Sequence, residues 1–401
     1  MIIKNKKSTT ALILISTVLL VLFIKSGSQF KSIASKHAQK LYLKYSYSSV
    51  DDYRIASYSN DEMDQLRRNL SIHFPYKKNT DEIPRNIWQI WKSDDVTTLD
   101  QGLQNLIHTW KDQENFTYTL VQDTKLGEFL HDTFIDTAPA VLEALDKLPE
   151  IILKTDFARY LLMFVYGGVY SDIDTRANQN ITSWLSYNNT ITPDLPNQIG
   201  LVMGIESDRD EKNWYRDSMA RRLQYCQWTL QSKPGHPMYR ELIARIVDIT
   251  LNGYDTTNQI LHTKDGSKFD LKKSSSTRLS GILQWTGPGV ITDAVFDYLN
   301  DVYKTSEFLD PELDFKNDKM IDPNRKLNLF SKVKYEKLRG YIHNGYDPIE
   351  RPWGWQNLTK QEKPILFDDD VLLLPRKSFG NIDGGQLDYV KHFFKGTWKN
   401  N

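Results

Sequence analysis

The sequence holds a single cysteine, Cys226, among 401 residues. Neither an intrachain disulfide nor a thiolate-held zinc can therefore organise it, and a lone cysteine of this kind reads as a small buried hydrophobe. Excess charge is lacking too, since 51 Lys and Arg balance 51 Asp and Glu. Without a dense Lys/Arg block, a phosphate-backbone partner is not expected, so no nucleic acid is assigned. No internal repeat or long low-complexity tract is visible. The length fits one large α/β domain or two smaller ones.

What is present begins at the N-terminus. Residues 8–24, "STTALILISTVLLVLFI", are 17 uncharged residues, of which 11 are Leu, Ile, Val or Phe. Those 11 contribute roughly −3 to −7 kcal/mol to membrane insertion, with no charge opposing them. Lys4, Lys6 and Lys7 precede the run, which keeps the short tail cytosolic and sends the remaining chain across the membrane. A helix of that length spans about 25 Å and suits the thinner membranes of the early secretory pathway. The rival reading is a cleaved signal peptide, but "KSGSQF" follows without a clear small-residue cleavage site. The expected layout is a cytosolic tail (1–7), a signal anchor (8–24), a stem (25–60) and a lumenal catalytic body (61–401). Sequons at Asn69, Asn115, Asn180, Asn188 and Asn357 favour a lumenal body.

After the stem, Met63, Leu66 and Leu70 recur at helical spacing behind a good N-cap. "IPRNIWQIW" reads as a first strand and "YTLVQD" (118–123) as a second, with a helix-like stretch around Leu103 to Trp110 between them. Strands alternating with helices at this interval predict a parallel sheet with crossover helices, whose ligands bind beyond the carboxyl ends of the strands. In "PEIILKTDFARYLLMFVYGGVYSDIDT", Ile152, Phe157, Tyr160, Leu161, Phe164 and Val165 give a helix with a broad buried face. Gly167 and Gly168 stop it. A strand over 169–173 then ends on two aspartates.

Asp172 and Asp174 leave that strand at i and i+2, so both carboxylates can face one side or turn round one cation. Two neighbouring carboxylates repel unless a cation or a shared proton lies between them. Hard oxygen ligands suit Mn²⁺ or Mg²⁺, which keep open positions for phosphate oxygens. Alone, D-x-D is also a common turn. Asp156 and Arg159 stand three apart on the preceding helix with Tyr160 beside them, either as an ordinary ion pair or as a group orienting a ribose, sugar hydroxyl or phosphate. "WTGPG" (285–289) is either a structural turn or a helix start whose amides meet an anion or sugar. "KPGHP" (233–237) is a rigid turn in which His236 reads as structural. "RPWGWQNLT" is either an aromatic loop over an acceptor sugar or a source of core tryptophans.

Taken together, "FPY", "IPRNIWQIWK", "ILKTDFARYLLMFVYGGVYSDIDT", "QSKPGHPMYRELI", "WTGPGVITDAVFDYL" and "HFFKGTWK" resemble the fungal Golgi α-1,6-mannosyltransferases of the initiation-specific family and its paralogues. The resemblance runs in order from about Leu66 to the C-terminus. It implies an α/β, GT-A-like fold, a Rossmann-like mixed sheet flanked by helices, behind an N-terminal transmembrane helix. It implies a single-pass type II Golgi membrane enzyme that uses GDP-mannose and Mn²⁺, or Mg²⁺, to add mannose to a mannose-containing N-glycan with retention of configuration. On that resemblance Asp172 and Asp174 are the catalytic metal and diphosphate residues, and His392 is the third metal ligand. A partly buried structural histidine is the alternative for His392. Asp156, Arg159, Tyr160, Trp285 and Gly287 are the expected substrate-binding residues. The closing motif carries threonine where the family has serine. Other mannosyltransferase subunits are conceivable partners. Two rivals stand beside this reading. "DIDT" with "FDDDV" imitates a haloacid-dehalogenase-like phosphatase, and the fold could serve as a non-catalytic subunit of a mannan-synthesising complex.

Overall fold

In the computed structural model, which describes residues 53–55, 61–78, 82–188, 199–208, 219–263, 266–272, 275–302, 353–367, 370–379 and 385–395, the first helix, α1 (Glu62–His73), forms where an acidic cap meets apolar spacing of three and four. The Asp61 carboxylate accepts from the Met63 and Asp64 N–H groups, satisfying donors that every helix start leaves open. Met63, Leu66 and Leu70 turn inward, as their spacing predicts. The described residues belong to the compact unit Val50–Asn401. No helix among them is long and apolar enough to cross a membrane. The expected anchor (8–24) lies outside the described residues.

Strand β1 (Asn86–Trp91) leads into α2 (Gln101–Lys111), capped by Asp100, and then into β2 (Thr117–Gln122), parallel to β1. Three helices follow, α3 (Leu126–Phe134), α4 (Pro139–Lys147) and α5 (Ile151–Val165), before β3 (Gly168–Ser171) pairs with the other side of β1, also parallel. The crossover reading therefore holds for these three strands. Beyond them come β4 (Thr175–Ala177), β5 (Leu201–Asp208), β6 (Leu223–Tyr225), β7 (Thr229–Ser232) and α6 (Pro237–Gly253). A small sheet of β8 (Tyr254–Asp255), β9 (Ile260–His262) and β10 (Lys268–Asp270) precedes α7 (Ser275–Trp285) and α8 (Pro288–Val302). The remaining elements are α9 (Trp355–Leu358), β11 (Ile365–Phe367), β12 (Val371–Leu374), α10 (Arg376–Phe379) and β13 (Val390–His392).

The main sheet has eight strands in the order β11-β12-β5-β7-β3-β1-β2, with β6 on β5. It is mixed rather than all-parallel, because β7 enters between β3 and β5 in the opposite sense to both. That reversal matters for the site. It brings the start of β7 beside the end of β3, with Thr229 opposite Ser171.

Helix α5 is the centre of the molecule. Every residue from Asp156 to Phe164 is buried, so its apolar surface extends round the helix and exceeds the single face that the spacing suggests. Each large apolar side chain so enclosed contributes about 1.5–3 kcal/mol. Asp156 and Arg159 are the charged exceptions on that stretch. Gly167 and Gly168 then turn the chain at φ of 62° and 99°, values that L side chains rarely adopt. A Cβ on Gly168 would lie 2.4 Å from the Asn86 carbonyl oxygen. This corner feeds α5 directly into β3.

Several of the quoted motifs are architectural. Phe74 packs on Phe134 and Phe164, and Tyr76 meets His236 edge-on at 4.9 Å, so "FPY" and "KPGHP" form one joint. His236 Nδ1 accepts the Met238 N–H at 3.2 Å and starts α6. Trp353 and Trp355 are buried, which makes "RPWGWQNLT" a supplier of core rings rather than an aromatic lid. Cys226 is buried as expected. Tyr53, in the segment read as stem, is enclosed against Tyr298, while Arg54 spans Glu241 at 2.9 Å and Asp301 at 2.7 Å. Burial would raise the Glu241 carboxyl, but Arg245, Arg54 and Arg67 hold it far below the usual range. Arg54 thus fastens this segment to α6 and α8 through one buried and one partly exposed carboxylate.

The glycine corner gives the first prediction. Gly168→Ala imposes both a left-handed backbone and a clash with Asn86, so it should lower unfolding stability by about 2–4 kcal/mol. Urea denaturation of the two proteins measures this, and an unchanged midpoint would show that the corner can relax.

Candidate active site

Strand β3 stops at Ser171, two residues earlier than the sequence pattern suggests. The Thr175 N–H and hydroxyl both donate to the Asp172 carbonyl, at 3.1 and 2.5 Å, closing a turn over 172–174. Ile173, between the aspartates, is buried among Leu103, Leu106 and Ile107. The aspartates thus stand on either side of an apolar anchor. The Asp172 backbone is fixed from both flanks, its N–H donating to O of Trp228, just before β7, at 2.8 Å and its carbonyl accepting from Nε2 of Gln89 on β1 at 3.2 Å.

Asp174 is met by the far end of the chain. Antiparallel pairing of β13 with β4 puts His392 opposite Thr175, and His392 Nε2 lies 3.1 Å from Asp174 Oδ1. Phe393 N–H donates to the Asp174 carbonyl at 2.9 Å, and Lys395 N–H to its Oδ2 at 2.8 Å. Burial raises the Asp174 carboxyl, but the bonds from His392 and Lys395 outweigh it and hold the group below the ordinary carboxylate range. Ligand atoms of Asp172, Asp174 and His392 all lie within 4.8 Å of one another.

Beneath this surface sits a buried polar cluster. Arg159 Nη2 is 2.9 Å from Asp156 Oδ1 and 3.4 Å from Asp172 Oδ1, so one guanidinium ties both carboxylates. Asp172 Oδ1 also accepts the Tyr170 hydroxyl at 2.7 Å, and Arg159 lies over the Tyr170 ring at 5.1 Å. Tyr160 Oη is 2.7 Å from Gln227 Oε1 and 2.8 Å from the Thr286 carbonyl, while the Thr286 hydroxyl donates to Asp156 Oδ2 at 3.3 Å. Asp156, Arg159 and Tyr160 are thus brought together with Asp172.

Trp285 and Gly287 are not. Trp285 is wholly buried, its indole N–H donating to Thr250 Oγ1 at 2.9 Å, so no face of the ring is open to a substrate. Gly287 sits at the α7–α8 corner, where a Cβ would meet Leu283 Cα at 2.7 Å. Its small size answers a backbone contact rather than a ligand. Between them, Thr286 is the residue of "WTGPG" that reaches the cluster.

Four further residues escaped the sequence reading. Tyr170 lies two positions before Asp172 on one strand face, a spacing that could have identified it. Gln227, Trp228 and Glu206 carry no such signal, because the β5–β7 pairing delivers them. Trp228 stacks on the His392 imidazole with centroids 4.7 Å apart and planes 19° apart. Its indole N–H donates to Glu206 Oε1 at 3.1 Å, and Gln224 Nε2 donates to Oε2 at 2.8 Å. Burial raises the Glu206 carboxyl against the pull of these two bonds. The phosphatase-like pairing with "FDDDV" finds no support at Asp370, which is enclosed by Tyr76, Tyr298 and His236. Asp368 and Asp369 lie outside the described residues.

A family model described as a glycosyltransferase sugar-binding region containing a DXD motif matches residues 100–191, a span that includes Asp156, Arg159, Asp172 and Asp174. An initiation-specific alpha-1,6-mannosyltransferase of Candida albicans is 37% identical over 85% of this chain and 78% of its own length. A protein of the same description in Saccharomyces cerevisiae is 31% identical over 95% of this chain and 90% of its own. Its counterpart in Schizosaccharomyces pombe is 29% identical, covering 90% and 74%. Among solved structures, the PaToxG glycosyltransferase overlaps 73% of this chain and 91% of its own at 13% identity and a TM-score of 0.34.

The second prediction concerns Asp156. Burial pushes its carboxyl up to about 7 from 3.8, against the pull of Arg159. The folded protein then holds this proton more tightly than the unfolded chain does, so the group's contribution is most favourable near pH 4 and is lost as pH rises through 7. Each pH unit of that interval removes up to about 1.4 kcal/mol. The unfolding free energy of the wild type relative to Asp156→Asn should therefore fall between pH 4 and 7. A difference that stays flat across this range would mean that Asp156 is ionised throughout.

Proposed function

Because this chain belongs to the initiation-specific alpha-1,6-mannosyltransferase family, and is therefore a mannosyltransferase, we propose that it transfers mannose from GDP-mannose to a mannose residue of an N-glycan. The linkage is α-1,6, configuration is retained, the fold is GT-A-like and the reaction depends on Mn²⁺ or Mg²⁺. The same reading treats residues 8–24 as the anchor of a type II Golgi enzyme with a lumenal catalytic part. The observation that carries it is the convergence of Asp172, Asp174 and His392, whose ligand atoms lie within 4.8 Å of one another.

The donor set fits the ion. Two carboxylates with one imidazole suit Mn²⁺ well and Mg²⁺ less well. For His392 to serve, its Nε2 must present a lone pair, so Nδ1 carries the proton in the neutral ring. Breaking the anomeric C–O bond builds positive charge on the sugar ring and negative charge on the departing diphosphate. The ion, when bound, would supply positive charge where that diphosphate oxygen develops negative charge.

The chain's own residues arrange this beforehand. Tyr170 and Arg159 hold the Asp172 side chain, while the Lys395 N–H fixes that of Asp174. Such supporting bonds set ligand orientation, and their loss typically costs about 10–100-fold in metal affinity. Arg159 also holds the Asp156 and Asp172 side chains side by side before any substrate arrives. Pre-paid orientation of this kind is what electrostatic catalysis requires.

Full-length protein incubated with GDP-mannose, Mn²⁺ and a high-mannose N-glycan should release GDP and raise the glycan mass by one hexose. Chelation should stop both, and added Mn²⁺ should restore them. Asp174→Ala should lose about a thousandfold or more in rate, as expected when several kcal/mol of charge stabilisation disappear. A near-normal rate in that variant would remove the metal assignment, and GDP release without glycan growth would remove the acceptor. Tyr170→Phe tests the support of Asp172 separately. Its Mn²⁺ concentration for half-maximal rate should rise about tenfold with little change in maximal rate; unchanged Mn²⁺ dependence would make Tyr170 a bystander.

A further inference from the structure

We propose that Phe394 is the platform on which a hexopyranose ring of the acceptor stacks, an inference that rests on the mannosyl-transfer reading of this site. Phe394 sits at φ 48°. For a bulky aromatic residue this left-handed backbone is an outlier that the surrounding structure must sustain. Glycine or asparagine would occupy the position with less strain. The side chain is nevertheless 55% exposed, so the strain is not repaid by burying the ring.

The ring is placed firmly. Phe393 N–H and Lys395 N–H, on either side of it, both donate to Asp174, and Lys395 Nζ lies 3.6 Å from Asp100 Oδ1. Phe394 meets the His392 ring edge-on at 4.0 Å and Trp228 at 6.4 Å. An apolar aromatic surface therefore stands in the wall of the site, beside the residues proposed to hold the ion, and it is held by the same carboxylate that would bind it. The neighbouring Phe393 differs, since Arg176 lies 5.9 Å from its centroid.

Two ligand surfaces could stack here, a sugar ring or the guanine of the donor. The chemistry of the surface favours the sugar, because the C–H face of a hexopyranose matches an aromatic ring. A nucleotide in an open α/β sheet is instead expected at the switch point between β1 and β3. Phe394 lies on the β7 side, against the residue that precedes that strand.

The test uses full-length enzyme with a mannose-terminated oligosaccharide as varied acceptor, together with calorimetric titration of GDP. Phe394→Ala should raise the acceptor KM about tenfold while the GDP Kd changes less than about twofold. Phe394→Trp should return the acceptor KM to within about threefold of wild type. Phe394→Gly, which relieves the backbone, should share the acceptor defect with a Tm at or above that of the alanine variant. This keeps the result readable should the alanine protein be unstable. A tenfold loss of GDP affinity with an unmoved acceptor KM would assign the ring to guanine and overturn the proposal. Unmoved values for both would reduce Phe394 to surface and overturn it as well. If wild-type enzyme transfers mannose and only these acceptor effects are missing, the transfer reading stands alone. A wild-type enzyme inert toward every mannoside would remove both.

Discussion

The guanidinium of Arg159 lies between two carboxyl groups, Asp156 at 2.9 Å and Asp172 at 3.4 Å, and a buried cation is tolerable only while it remains paired. This constraint explains the rest of the site. α5 must be enclosed on all sides to keep Asp156 and Arg159 dry, and the glycine corner must deliver β3 alongside it so that Asp172 can reach the same cation. Tyr170 then completes the arrangement from two positions earlier, on β3. The local positive charge holds Asp172 in place, while Asp174 is left to be satisfied from elsewhere.

That satisfaction comes from 221 residues away, through the Lys395 N–H. The turn over 172–174 is local, whereas the second half of the constellation depends on β13 pairing with β4, a contact that carries a loop-closure cost the local turn does not. The hydrogen bonds that fix Asp174 therefore exist only where the two ends of the fold are joined.

What could be read in the sequence was local. The capped helix behind Asp61, the β1–α2–β2 unit and the helix ending at two glycines stand where the sequence pattern puts them, while the D-x-D pair lies in a turn because β3 ends two residues before the expected strand does. The Asp156–Arg159 pair was equally legible, although its burial was not. Trp285 and Gly287 misled because a Gly-Pro turn looks the same whether it approaches a ligand or packs a helix corner. Only Thr286 of that motif reaches the polar cluster. Glu206 and Trp228 had no spacing to betray them, since the insertion of β7 between β3 and β5 brings them in, and no pattern within one segment encodes a strand order.

The same insertion gives the site two chemically distinct sides. Toward β1 the neighbours of Asp172 are parallel strand ends, with Gln89 donating to its carbonyl. Toward β7 they are Trp228, stacked on His392, and the Glu206 carboxylate behind it. An all-parallel sheet would have repeated the first environment on both flanks. Reversing β7 places Trp228 and the Glu206 carboxyl group on one side only, so under the proposed transfer the sugar nucleotide and the glycan would meet different surfaces on either side of the two aspartates. That asymmetry is a property of strand direction, carried by the backbone rather than by the D-x-D pair itself.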